Sequence, residues 1–274
     1  MASESTSDPS YTLYVYYTRY SSWGVRVQLV LEYFQIPYKV EYFNYTKPAL
    51  LPPPELRVLP VLDVTPAPGT IPGTEGGTLR VADSLAIAEY LADQHPEKHL
   101  WPADPQLRAL ARTAAAQMHS GFAALRDAYP CNFVARFSGP GVPFDEAVAG
   151  DVRRLFALWD RLRVATKKRL AQLGDADRGF LCGGFSIADA FFWPVLWRLR
   201  TYSVPLAGIT EDGLKWMGTM WNDPVMKAQA KEYFRQARDP QTLMAPYDEA
   251  FKDVPDVTSG AFAEDWFFDE SSVQ

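Results

Sequence analysis

Asp83-Ser84, set between Val81-Ala82 and the run Leu85-Ala86-Ile87-Ala88-Glu89-Tyr90-Leu91, places a carboxylate and a small hydroxyl where a strand runs into a helix. The first backbone N–H groups of such a helix have no partner within it, and with the serine hydroxyl they can hold a carboxylate. Earlier in the chain, Leu59-Pro60-Val61-Leu62 puts a proline at the mouth of an apolar strand, a position that proline can enter by a cis bond. Ser21 and Ser22 lie between an aromatic strand and an apolar helix. A hydroxyl and a helix N-terminus are both at hand there to act on an anion. The structural alternative is that one serine caps the helix, and Ser22 is the expected cap.

The elements that must carry these residues follow from the apolar pattern. Residues 11–17 are aromatic and β-branched and predict a strand, and residues 23–34 predict a helix too apolar all round to lie on a surface. A second strand is expected over 39–43, irregular chain around Pro48 and Pro52-Pro53-Pro54, and a third strand over 60–64. A long Pro-, Gly- and Thr-rich loop over 65–77 joins it to a fourth strand over 78–82, and a helix over 84–94 closes the unit. Strand-helix-strand followed by strand-strand-helix is the thioredoxin-like order.

His95-Pro96 and Trp101-Pro102-Ala103-Asp104-Pro105 then read as a linker, since residues before proline avoid helical geometry. Beyond it Leu107, Leu110, Ala111, Ala114, Met118, Phe122 and Leu125 mark one face of a long helix, and Val148 to Leu162 a second. Ser186-Ile187-Ala188-Asp189 opens a third with a capping-box pattern, and Asn222-Asp223-Pro224 starts a last one. The fold class is therefore an α/β unit followed by an all-α unit. The expected division is a disordered tail (1–10), a thioredoxin-like domain (11–96), a linker (97–104), a helical domain (105–239) and an acidic and aromatic tail (240–274). Disorder is the expectation for that last tail too.

Several functions are disfavoured by composition. The chain has 274 residues, 47% of them apolar, and a net charge of -6, which argues against nucleic acid as a partner. No apolar run reaches membrane-spanning length, and the polar first ten residues lack a signal core. Cys131 and Cys182 form no CxxC, and three histidines without a second ligand cluster argue against a metal site. A cytoplasmic location is the expectation.

Five segments, in order, carry a resemblance. They are Tyr20-Ser21-Ser22-Trp23-Gly24-Val25-Arg26, the Asp83 to Leu91 run, Leu100-Trp101-Pro102-Ala103-Asp104-Pro105, Gln117-Met118-His119-Ser120-Gly121-Phe122 and Phe185-Ser186-Ile187-Ala188-Asp189-Ala190. Together they resemble the glutathione S-transferase superfamily, in particular a bacterial and fungal Tyr-Ser-Ser-Trp group related to the zeta and tau classes. The likeness runs from Tyr11 to Ala237.

The resemblance implies glutathione as co-substrate, with Ser21 as the catalytic hydroxyl that stabilises its thiolate. Ser22, Leu59, Pro60, Asp83 and Ser84 would bind the tripeptide: the Leu59 backbone its cysteinyl unit, Asp83 the γ-glutamyl ammonium, Ser84 the carboxylate. Arg57 would be near the glycyl carboxylate. Counting back from Val25-Arg26, the zeta-class serine falls at Arg19, so Arg19, Tyr17 and Tyr20 stand as alternative activators. The partners implied are a hydrophobic electrophile and a second copy in a homodimer. The activity implied is conjugation, in detoxification or fungal secondary metabolism, with a zeta-type cis-trans isomerase or a non-catalytic binding module as alternatives. His119 reads as a structural histidine, the arginines and lysines of residues 153–169 as a solvated face or dimer rim, and Cys182 as buried and inert.

Overall fold

The computed structural model describes residues 10–56, 58–65 and 77–269. A four-stranded sheet in the order β2-β1-β3-β4 is formed by β1 (Ser10–Tyr16), β2 (Lys39–Phe43), β3 (Val61–Thr65) and β4 (Leu79–Ala82). Leu13 of the central β1 faces Val40 in the parallel β2 and Leu62 in the antiparallel β3. Parallel pairing needs a crossover, and α1 (Ser22–Tyr33) provides it. Val25, Val27, Leu29, Val30 and Leu31 of α1 are all fully buried, because the helix lies between the sheet and the helices that follow. Contact with the sheet is tightest at Gly24, where a Cβ would sit 2.8 Å from Val15 Cγ1. From β3 the chain returns through β4 to α2 (Ser84–Gln94). Arg57 and residues 66–76 are outside the described residues, and with them the arginine and most of the long loop singled out in the sequence.

The remainder is helical: α3 (Pro105–Ser120), α4 (Ala123–Ala128), α5 (Glu146–Leu173), α6 (Ile187–Thr201), α7 (Glu211–Asn222) and α8 (Pro224–Ala237). Every residue of α6 from Ile187 to Leu199 is buried, as expected of a helix apolar on all sides at the centre of a bundle. Its Ser-x-x-Asp start forms the capping box. Asp189 accepts from Ser186 N at 3.0 Å, from Leu181 N at 2.9 Å and from the Trp216 indole at 2.9 Å.

Three expectations are corrected. The long helix drawn through Phe122 and Leu125 is interrupted: α3 ends at Ser120, and Phe122 takes a left-handed φ of 55° before α4 begins. α7 was not anticipated, because Gly213 and Gly218 weaken its helical signal; burial of Trp216, Met217, Met220 and Trp221 sustains it. The solvated face expected on α5 holds for Arg153, Arg154, Arg161, Lys167 and Lys168, which are exposed, and fails at Arg163. Arg163 is buried against Asp177 and the Phe180 carbonyl, and Arg169 lies 2.7 Å from Asp104.

A fourth correction concerns the tail, whose described part is packed. A short 3-10 turn at Pro240–Thr242 and α9 (Ala245–Asp248) are followed by β6 (Thr258–Ala261), antiparallel to β5 (Ala135–Ser138). The Trp266 ring then stands 5.0 Å from that of Trp221 and 4.6 Å from the Arg200 guanidinium. Burial among these rings lowers the Arg200 pKa to about 9. Acidic residues alternating with aromatics look like solvated chain; here the aromatics find an arginine and an indole to cover. No helix of the described residues is long and apolar enough to cross a membrane.

Candidate active site

α1 starts at Ser22, and its N-cap is Ser21, in extended geometry with φ -109° and ψ 94°. Ser21 Oγ accepts from Gly24 N at 3.3 Å. The capping role predicted for Ser22 therefore belongs to Ser21. Ser22 is already within the helix, and its Oγ accepts from Arg198 Nη2 at 3.4 Å. Each hydroxyl thus receives a hydrogen bond and keeps its own O–H free to donate. Capping and stabilising an anion are compatible in one serine, because the cap uses the lone pair and the anion would use the proton.

Both serines line a cavity of about 310 Å³ between the sheet domain and the helices. Leu59 lines it too, next to a cis Leu59–Pro60 bond, and carries no backbone hydrogen bond to a described residue. A buried residue whose N–H and C=O meet no described backbone partner offers an extended peptide two points of attachment. Larger depressions, about 510 Å³ beside Trp266 and about 680 Å³ beside His95, hold none of the six residues singled out for glutathione.

Asp83 and Ser84 lie outside that cavity and are linked to it by rings. Asp83 caps α2, its Oδ1 accepting from Leu85 N at 2.8 Å and Ala86 N at 3.1 Å, in an unusual backbone conformation with φ 78°. Its Oδ2 is 3.2 Å from His119 Nε2. The His119 ring stands 5.3 Å from that of Trp23, which lines the cavity. His119 therefore ties the α2 cap to the Trp23 ring, a structural role as expected. Ser84 is almost completely buried, and its Oγ has no hydrogen-bond partner among the described residues.

The alternative activators are committed elsewhere. Arg19 Nη2 donates to both carboxylate oxygens of Asp248 at 2.9 Å, and burial lowers the Arg19 pKa against the opposing pull of Asp248. Tyr20 donates its hydroxyl to Asp248 and accepts from Met244 N at 3.3 Å. The Tyr17 ring stacks on that of Tyr42 at 5.2 Å, and Tyr17 is not among the residues lining the cavity. Of the hydroxyls considered from the sequence, Ser21 and Ser22 line the cleft without donating to a described residue, and Tyr16, Tyr45 and Tyr247 line it beside them.

Other lining residues went unnoticed in the sequence. Arg126 and Arg198 come from α4 and α6, Met244 and Tyr247 from the tail, and Cys131 from the chain after α4. Their only signal was the basic and aromatic character of isolated positions. Burial raises the Cys131 thiol to about 11, although Arg198, Arg26 and the Ser22 N–H pull it down.

The pattern of known families decides the relationship. The glutathione S-transferase N-terminal domain matches residues 20–94, and the glutathione S-transferase C-terminal domain matches residues 145–222. The chain belongs to the glutathione S-transferase superfamily. Among relatives, a pyrimidodiazepine synthase of Drosophila melanogaster is 39% identical over 95 residues, 34% of this chain and 36% of that protein. A zeta-class glutathione S-transferase of Euphorbia esula is 29% identical over 137 residues, 50% of this chain and 57% of that one. The superfamily member thus spans between about a third and three-fifths of the length of these two relatives. Among solved structures, a Burkholderia glutathione transferase homolog with bound glutathione matches with a TM-score of 0.54 and 21% identity, covering 82% of this chain and 98% of that one. A maleylacetoacetate isomerase of Anaeromyxobacter dehalogenans with bound glutathione gives 0.54 and 21%, covering 85% and 100%. At these identities the likeness is one of fold.

Proposed function

We propose that this superfamily member activates glutathione for attack on an electrophile, with the Ser21 hydroxyl as the thiolate's hydrogen-bond donor. The observation that carries this reading is the geometry of Ser21: its lone pair is spent on Gly24 N and its proton is free, in the cavity that Leu59 also lines. The Leu59 backbone would pair with the cysteinyl unit beside Pro60, Ser84 Oγ and the start of α2 would take the γ-glutamyl carboxylate, and Asp83 the ammonium. Glutathione bound in proteins of this fold supports a glutathione site in general.

Magnitudes favour the hydroxyl over the helix alone. A free thiol with a pKa of about 8.5 is only a few per cent ionised at neutral pH, and lowering it by about two units takes about 2.7 kcal/mol. A helix N-terminus contributes about 0.3–1 kcal/mol, whereas a hydrogen bond to a charged group is worth about 1.5–3 kcal/mol. Ser21 supplies the larger part and the N-terminus of α1 the rest, while the thiol proton passes to solvent. Ser22, whose Oγ receives a hydrogen bond from Arg198, stands beside it as a second donor.

A glutathione-dependent isomerase is the second reading, favoured by the zeta-class relative and by the arginines of the cleft. A homodimer, a cytoplasmic location and a part in detoxification or secondary metabolism accompany the proposal through the family resemblance alone. Calorimetric titration with glutathione tests it. Binding that weakens about tenfold in Ser84→Ala supports the assigned contacts, and no binding to the wild type rejects the proposal.

A further inference from the structure

One arginine of α1 is buried with its charge unanswered. Arg26 is fully buried between the rings of Trp23 and Phe191, its guanidinium 4.4 and 4.9 Å from their centroids. All three guanidinium nitrogens lack a hydrogen-bond partner among the described residues, and Arg26 forms no ion pair among them. Taking a guanidinium out of water is costly, and two aromatic faces return only part of that cost. A methionine would fill the same space without it, so packing alone does not explain the charge.

The place of Arg26 in the helix says where its charge acts. Arg26 follows Ser22 by four residues, so the two share one face of α1. Its stacking on Trp23, three residues earlier, follows the lean of helical side chains toward the N-terminus. The guanidinium therefore stands behind the first turn of α1, on the inner side of an indole that lines the cleft with Ser21 and Ser22. Burial, and then the charges of Arg198 and Arg126, lower the Arg26 pKa to about 9, which leaves it charged at neutral pH. The carboxylate acting on it, Asp83, is half-exposed, caps α2 and meets His119. A sulfur in the cleft already registers this field: burial raises the Cys131 thiol, and the charges of Arg198 and Arg26 pull it back. No Asp or Glu is among the residues lining the cavity. An uncompensated cation in a poorly polarisable interior favours an anion in the space beside it.

We propose that Arg26 is an electrostatic positioning residue of the thiol site, its fixed charge behind the first turn of α1 favouring the glutathione thiolate that Ser21 receives. The proposal rests on the glutathione-transferase reading and adds to it a residue that touches neither glutathione nor the electrophile. Ser21 gives the thiolate its hydrogen bond, and Arg26 strengthens the positive end of the helix at which that thiolate sits.

The test compares the wild type with Arg26→Met, which keeps the length of the side chain and removes its charge. Thiolate absorbance of bound glutathione is followed against pH, and S-methylglutathione, which has no ionisable thiol, is titrated by calorimetry. Arg26→Met is expected to raise the bound thiol pKa by about half a unit or more, a weakening of about threefold in thiolate binding. Affinity for S-methylglutathione should stay within about twofold. Phe191→Leu, which loosens the same packing and keeps the charge, should leave the thiol pKa in place. An unchanged thiol pKa in Arg26→Met, beside a depressed one in the wild type, overturns the proposal alone. So does an equal shift in Phe191→Leu, or an equal loss of affinity for S-methylglutathione, since either assigns the effect to packing. A wild type that does not bind glutathione, or binds it without lowering its thiol pKa, overturns the transferase reading and this proposal together. Should Arg26→Met not fold, Arg26→Gln removes the same charge and carries the same prediction.

Discussion

Arg19 and Asp248, 229 residues apart in sequence, meet at 2.9 Å and lock the tail onto the loop before α1. Arg19 is nearly buried and Asp248 a third exposed, so removing the carboxylate would strand a cation that water reaches only from one side. The pair also withdraws Arg19 from any part in thiol activation. Asn132 and Tyr20 converge on the same carboxylate, making it the point where three segments are held together.

Asp248→Ala is expected to cost about 2 kcal/mol. That is below the usual price of orphaning a buried charge because solvent reaches Asp248. A shift of the urea midpoint, with faster proteolysis after residue 240, would agree. An unchanged midpoint would mean that the clamp contributes nothing to stability.

Asp189→Ala should be more damaging, at about 3 kcal/mol. It leaves Leu181 N, Ser186 N and the Trp216 indole without their acceptor inside the bundle. Thermal unfolding within a degree or two of wild type would contradict this.

Trp266→Ala is expected to cost about 1.5 kcal/mol, through loss of the ring against Trp221 and the Arg200 guanidinium. Urea unfolding measures it. An undiminished midpoint would show that the tail's packing is energetically idle.

The cysteines should be silent in the folded protein. Burial raises Cys131 to about 11 and Cys182 to about 12, above the ordinary thiol value of about 8.5. Between the ordinary and the raised values the native chain keeps protons that the unfolded chain has released. Stability therefore falls as pH rises through that alkaline window, and is unaffected by these groups near neutrality. Iodoacetamide at pH 8 should label neither thiol until urea unfolds the chain. Rapid labelling of Cys131 in the native state would mean that the cleft opens beyond its described shape.

Local pattern accounts for what the sequence revealed. Alternation and apolar runs located β1, α1 and β3, the residue pair Leu59-Pro60 indicated the cis bond, and Asp83-Ser84 indicated a capped helix. Ser186 and Asp189 signalled their capping box because both partners lie within one turn. Contacts between distant segments were not legible. β5 and β6 are four residues each and pair across more than a hundred residues, and Arg126 and Arg198 become a cationic wall only when α4 and α6 face one cavity. The transfer of the cap from Ser22 to Ser21 turned on a single residue of helix phase, finer than helix boundaries read from sequence allow.

The central claim is that Ser21 donates to the glutathione thiolate. It is tested most directly by following thiolate absorbance of bound glutathione against pH in the wild type and in Ser21→Ala. The account predicts a bound thiol pKa about two units below that of free glutathione, returning at least one unit toward the free value in Ser21→Ala while glutathione still binds. An identical thiol pKa in the two proteins would contradict it and move the donor role to Ser22.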